Sequence, residues 1–270
     1  MPDNSRRRCR EIVRGLVPVD TWVQNERFAD ELKSLIKAHR IFSHPIMSML
    51  EEGKFSPEGM KRFHLEFRHA FAQNFTDALI QVMSTASQLE DTQGALGKVA
   101  ARFLVQLNVL DELGFEAGKV ESGEYAGDPR HAHYIEFDKV LGDLGLSAAD
   151  VRAYVPTSAA VAARRTVEDM YGDHVGLAGQ LALAESVFTN FAGPWASNMK
   201  KRTTVATDQG YHAIHVEHDG AFIDDDHSED MWFVLRQALV PARYDELRAR
   251  TSETLEVWAR FCDSLLAIVS

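Results

Sequence analysis

The chain is predicted to be a single all-helical domain, and three observations carry that prediction. Apolar residues recur at helical spacing along most of its length. Capping residues followed by proline stand where several of these stretches begin. Alternating strand patterns and hairpin turn pairs are nearly absent, and no repeat or linker-like composition divides the 270 residues.

Residues 1–20 read as a flexible N-terminal tail, basic at Arg6, Arg7, Arg8 and Arg10. The tail is too short for a transit peptide and no apolar stretch follows it. The domain is expected over residues 21–270. A first helix spans about Asn25 to Arg40. A second runs from Pro57 to about Met83, with Ser56 as cap, Pro57 at the first position and Glu58 favouring the helix dipole. Along it Phe63, Phe67, Phe71 and Phe75 repeat every four residues and read as core packing. A third helix covers about Thr92 to Leu113 and is closed by Gly114. Phe115 to Gly127 is polar and glycine-rich and reads as a loop. Asp128-Pro129 opens a helix to about Gly142, and Ser147 with Asp150 forms a capping-box pattern. Thr157 to Tyr171, His174 to about Phe191, Asp226 to Leu239 and Pro241 to Val269 complete the helices. In the last, Tyr244, Leu247, Thr251, Leu255, Trp258 and Leu265 share one face.

Bulk composition excludes several function classes. The net charge of −11, with no basic stripe on any predicted helix, argues against nucleic acid or an anionic membrane surface as partner. No run approaches the roughly 18 apolar residues of a membrane span. The two cysteines, Cys9 and Cys262, make a disulfide framework improbable, so a reducing cytoplasm is expected.

Tyr211 to His227 is the densest chemical signal. Four of the eleven histidines fall there, interleaved with Glu217, Asp219, Asp224, Asp225 and Asp226. His215 and Asp219 stand four apart and share a helical face; Asp224 and His227 stand three apart and do the same. Imidazole mixed with carboxylate suits iron or zinc, and iron that activates dioxygen in particular. The plain alternative is a solvated acidic turn. Helical bundles build metal sites by projecting Glu and His inward from facing helices. Glu112 ends the apolar stretch from Leu107, His133 stands four before Phe137, and Glu185 is the sole charge between Val175 and Phe188. A lone carboxylate in such a stretch must find a cation, a proton or several donors. Taken singly, Glu112 reads equally as a solvated helix end, His133 as a core histidine, and Glu185 as the ion-pair partner of Arg164 or Arg165. Together with His215 they supply enough donors for two metals.

These residues, in this order, resemble the heme-oxygenase-like diiron oxidases and oxygenases, a seven-helix bundle related to the TenA thiaminases and pyrroloquinoline quinone synthase. The resemblance covers roughly residues 26–240. It rests on His44-Pro45 with Leu50 to Pro57, on Asn108 to Gly114, on His133 to Phe137, and on Glu185. The third ligand segment departs from the family pattern. His215 and Asp219 fit, but Phe222 stands at the next ligand position, and His227 follows five residues later. This reads as an insertion around Gly220, with Asp224 as the rival carboxylate.

The resemblance implies a metal set of Glu112, His133, Glu185, His215, Asp219 and His227, with Glu112 and Glu185 as the catalytic carboxylates. By analogy, Glu112, His133 and His227 would hold one iron, and Glu185, His215 and Asp219 the other. It implies two Fe ions, dioxygen as co-substrate, a homodimer, and a small amino-acid-like, amine or acid substrate oxidised in a biosynthetic pathway. N-oxygenation, oxidative carbon–carbon cleavage and desaturation all occur in such enzymes, and the fold does not choose among them. Arg68, Arg102, Arg164, Arg165 and Lys200 are candidates for binding a substrate carboxylate. Two alternatives stand beside this reading. One is a metal-free oxidase, which would leave Glu112 and Glu185 unpaired or sharing a proton. The other is a non-catalytic helical binding module. A thiaminase-like role is disfavoured because neither cysteine is expected in a buried pocket.

Overall fold

In the computed structural model, which describes residues 5–215 and 223–269, helices α1 (Ser5–Leu16) and α2 (Val19–Ala38) come first. A 3-10 turn leads into α3 (Pro45–Glu51). Ser56 then caps α4 (Pro57–Phe67), its hydroxyl accepting from the Gly59 amide at 3.1 Å. A π turn at Arg68–Ala72 precedes α5 (Phe75–Thr85) and α6 (Glu90–Glu112). A hairpin of β1 (Phe115–Glu121) and β2 (Glu124–Gly127) follows. The chain continues through α7 (His133–Asp143), α8 (Ala148–Ala153), α9 (Ser158–Glu168), α10 (His174–Arg202), α11 (Tyr211–Ile214), α12 (Ile223–Ala238) and α13 (Tyr244–Val269). No described helix is long and apolar enough to cross a membrane.

Helix α10 is the axis of the bundle. Its first half is apolar on all sides, as a helix surrounded by others must be, and it packs against α3, α5, α12 and α13. It continues past Phe191, where the sequence suggested an end, and runs through Pro194. Burial of Trp195 and Met199 just beyond outweighs the proline's cost of about 3 kcal/mol. The expected cap at Ser147 is a complete capping box with Asp150, and Thr157 caps α9.

Four expectations change. The tail expected over residues 1–20 is helical from Ser5, because Cys9, Val13 and Val17 fall on one face and are buried. One turn apart on α1, Arg6 and Arg10 each place a guanidinium nitrogen 2.8 Å from the fully buried carboxylate of Asp230 on α12. The Arg10 guanidinium also lies 5.5 Å from the centre of the Phe233 ring. Removing one partner of a buried pair costs about 3–5 kcal/mol, and the partial exposure of both arginines puts this case near the lower bound. Asp230→Ala is therefore expected to lower unfolding stability by about 3 kcal/mol, measured by urea denaturation, with Arg6→Ala clearly milder.

The helix expected from Pro57 to Met83 is interrupted by the π turn. One extra residue per turn rotates everything downstream by roughly 100°. Phe63 and Phe67, before the turn, are buried in the core; Phe67 also lines a cavity, together with Phe71 and Phe75.

The third change is the segment from Phe115 to Gly127, which is a hairpin and not a loop. Its turn is Ser122-Gly123, both at positive φ (52° and 86°), the conformation that two-residue hairpin turns require. Fourth, Asp128-Pro129 opens only a short 3-10 turn, so α7 begins at His133 itself.

Gly114 joins α6 to the hairpin at φ 84°, where a Cβ would sit 2.5 Å from the Asp128 carbonyl oxygen and 2.8 Å from the Ala132 nitrogen. Both obstacles are backbone. Gly114→Ala is expected to lower the melting temperature by about 5 °C or more, through left-handed strain and the displaced base of the hairpin. Because that base positions Ala132, the same variant is expected to disturb the neighbouring His133.

Candidate active site

The site is built where α6 ends and α7 begins, on a cavity that α10 also lines. Glu112 is the last residue of α6 and His133 the first of α7. Twenty-one positions apart in sequence, they meet at 3.0 Å between Glu112 Oε1 and His133 Nδ1. Both are buried, as are Glu185 on α10, His215 just beyond α11, and His227 on α12. The ring of His215 stands edge-on to that of His133 at 5.3 Å, and to those of Phe188 and Tyr211 at 4.8 Å each.

Asp111, which sequence reasoning missed, ties the histidines together. Its Oδ2 lies 3.6 Å from His133 Nε2 and 3.5 Å from His227 Nε2. Glu112 therefore bonds one ring nitrogen of His133, while Asp111 places its charge near the other at longer range. The pairing of adjacent acids at a helix end was visible in the sequence; that Asp111 faces inward depends on where α7 and α12 pack. Burial by itself pushes the Glu112 carboxyl up, but His133, His215 and His227 together outweigh it. The group is held below the ordinary glutamate range and stays ionised.

Glu112, His133, Glu185 and His215 line one cavity with about 910 Å³ of space between atoms, its open mouth included. His227 reaches the same region through Asp111. Asp219 lies outside the described residues, as do residues 216–222 with the expected insertion, and the side chain of rival Asp224 is not described either. Among the described residues, no three His, Cys, Asp or Glu side chains form a closed metal-holding group.

The rest of the cavity wall is apolar. Phe67, Phe71, Phe75, Phe188, Trp258 and Phe261 make up most of it. The aromatic stripe read as core packing does pack in the core, and Phe67, Phe71 and Phe75 line the cavity as well. None of the basic candidates lines the cavity. Arg68 pairs with Asp138 at 2.8 Å, Arg102 donates to the Met83 carbonyl, and Arg164 pairs with Glu168 at 2.6 Å. Arg165 and Lys200 are exposed. The plain alternative of an ion pair from Glu185 to Arg164 or Arg165 gains no support from this arrangement. Cys262 does line the cavity, contrary to expectation. Burial, with Asp263 beside it, pushes its thiol up to about 12, so it is protonated and a poor nucleophile.

Solved structures share this architecture. A CADD-like protein of unknown function from Nostoc punctiforme superposes with a TM-score of 0.60 at 15% identity, over 90% of this chain and 94% of that one. A TenA homolog from Pseudomonas syringae gives 0.58 at 12% identity, covering 91% and 93%. A TenA homologue from P. horikoshii gives 0.58 at 13%, covering 92% and 99%. The fold is heme-oxygenase-like. No protein-family profile and no curated protein matches the sequence. At such identities the likeness to these heme-oxygenase-like structures speaks to architecture, and chemistry must be argued from the site.

Behind the cavity lies a second group of histidines. His64 is fully buried, with Nδ1 2.7 Å from the Met60 carbonyl oxygen. Its ring packs 4.7 Å from Trp195 and 5.7 Å from His212. Burial lowers the His64 pKa to about 4 and holds His212 well below the ordinary histidine range. Both rings are neutral at pH 7.

Proposed function

We propose that this protein is a non-heme diiron oxidase or oxygenase acting on a small organic substrate in the cavity. One observation carries the reading. Two buried carboxylates and two buried imidazoles line one end of an otherwise apolar cavity that, among the described residues, no arginine or lysine lines. Such a donor set fits a divalent metal of intermediate hardness.

By resemblance, Glu112, His133 and His227 would hold one ion and Glu185, His215 and Asp219 the other. Bound iron supplies the electrons that dioxygen needs to become an oxidant. The chain's own residues prepare the place for that chemistry. Glu112 orients the His133 ring through its Nδ1, and Asp111 sets negative charge beside the Nε2 atoms of His133 and His227. Phe188 and Tyr211 hold the His215 ring edge-on. The phenylalanine wall keeps water from the substrate, and a low local dielectric strengthens every polar contact at the acidic end.

A specific observation keeps the metal-free oxidase as the second reading. Glu112 has a hydrogen-bond partner in His133, so it is not bare without a metal. A non-catalytic binding module gains no such support, because it has no use for acids buried in a cavity. Anaerobic ferrous titration of the metal-free protein, with iron per chain counted after gel filtration, separates the readings. Two irons per chain are expected. No retained iron, with or without candidate substrates, would leave the metal-free oxidase as the better account.

A further inference from the structure

Glu112 and His133 line the cavity, whereas Asp111, one residue before Glu112 on α6, does not. His133 thus stands between two acids. Its Nδ1 meets Glu112 Oε1 at 3.0 Å, and its Nε2 lies 3.6 Å from Asp111 Oδ2. From α12, His227 places its own Nε2 3.5 Å from the same oxygen. One carboxylate oxygen therefore faces two imidazoles that come from two different helices.

That oxygen is shut off from solvent, although Asp111 as a whole is half-buried, and it makes no hydrogen bond among the described residues. A buried carboxylate oxygen without a donor is a costly placement. Among the described residues its ion-pair partners are these two histidines, each just beyond hydrogen-bond distance. Glu112 is held ionised by both His133 and His227, so the three groups assigned above to one iron lie within electrostatic reach of one another.

An imidazole binds a metal through one nitrogen. The other nitrogen then carries a proton, and the acceptor it finds decides which tautomer the ring adopts. We propose that Asp111 is a positioning residue: it accepts the Nε2 protons of His133 and His227 and so presents the Nδ1 of each ring to one shared metal ion. This assignment rests on the reading above that His133 and His227 hold the same iron with Glu112. It adds the nitrogen that each ring uses and the group that selects it. Asp111 itself does not touch the metal. It holds ligands from α7 and α12 in register with Glu112, its own neighbour on α6, and raises their basicity.

The test compares the full chain with Asp111→Ala and Asp111→Asn. Anaerobic titration with ferrous iron is the first readout. Asp111→Ala is expected to weaken one of the two irons by about 10–100-fold and to leave the other unchanged. Asp111→Asn keeps an acceptor oxygen without the charge and is expected to recover part of that loss. Proton NMR of the cobalt(II)-loaded protein is the second readout, and a merely structural role would not move it. Ring N–H protons of cobalt-bound histidines resonate far outside the ordinary range and vanish in heavy water. Two such signals are expected to exchange slowly in the parent and at least about tenfold faster in Asp111→Ala. Nitrogen-15 spectra of the metal-free chain are the third. His227 is expected to carry its proton on Nε2 in the parent and to lose that preference in Asp111→Ala, while His64 and His174 keep theirs.

Unchanged affinity for both irons in a folded Asp111→Ala variant would overturn the assignment, as would unchanged ring N–H exchange. Equal loss of iron in Asp111→Asn and Asp111→Ala with both ring N–H signals intact would make Asp111 a ligand and overturn it too. A parent that retains neither iron nor cobalt, yet shows the Asp111-dependent tautomer, would count against the diiron reading and support Asp111 as the group that orients the ring. If Asp111→Ala fails to fold by circular dichroism, Asp111→Asn carries the same three readouts.

Discussion

Glu185→Ala is expected to abolish retention of at least one iron per chain. Glu185 is buried in the middle of α10, lines the cavity, and is the only charge in the helix's apolar first half. Losing an outer partner of a metal ligand typically costs about 10–100-fold in metal affinity, and losing a ligand itself is expected to cost more. A ligand that binds only the folded state adds about 2.7 kcal/mol at a hundredfold excess over its Kd. The parent should gain on that order from ferrous iron under anaerobic conditions, and Glu185→Ala far less. Glu185→Gln keeps the volume and removes the charge, and it should behave like the alanine variant. A variant that retains two irons and the full thermal gain would remove Glu185 from the ligand set.

The metal-free protein is expected to lose several kcal/mol of stability between pH 6.5 and pH 4. The cause is three histidines buried as neutral rings. Burial lowers the pKa of His64 and of His174 from 6.5 to about 4, and holds that of His212 well below its ordinary value. Each of these groups takes up a proton in the unfolded chain before it does so in the folded one. Stability is therefore fully present above pH 6.5 and is lost as pH falls toward 4. At 1.36 kcal/mol per pKa unit, His64 and His174 each contribute on the order of 3 kcal/mol of this loss. Urea midpoints across that range measure it. His174→Gln, which keeps a polar side chain near Thr85, should flatten the slope by a large fraction. An unchanged slope in a folded His174→Gln variant would mean that the ring is protonated, or solvated, in the native state.

Local signals were legible in the sequence, and signals that depend on packing were not. Ser56 and Ser147 cap helices as expected because a cap is decided within four residues. Glu112, His133 and Glu185 stood out because acids and imidazoles in apolar helices need partners, and the structure places all three on one cavity with His215. The hairpin carried a readable signal in Ser122-Gly123, but its strands lack clean alternation. The π turn left no signal: the four-residue spacing of Phe63 to Phe75 continues unbroken through it. Only the packing of α4 and α5 against their neighbours decides that three of the four rings face a cavity. Asp111 and Cys262 face inward for the same kind of reason. Helix α1 was misread because its arginines suggested solvent, whereas two of them converge on an aspartate 220 or more positions away.

That pairing ties the beginning of the chain to a helix made near its end. Helix α1 is synthesised well before α12, and the aspartate that receives Arg6 and Arg10 arrives only with α12. Contacts so distant in sequence close late in folding. Until then α1 has α6 to pack on, where the Cys9 thiol donates to the Ala100 carbonyl at 3.3 Å, and the arginine pairing closes last. His227 lies three residues before Asp230 on the same helix, so the last latch of the fold is also the anchor for one wall of the site. Fusions or truncations before Val17 should therefore be read as changes to the site, even though they lie at the opposite end of the sequence.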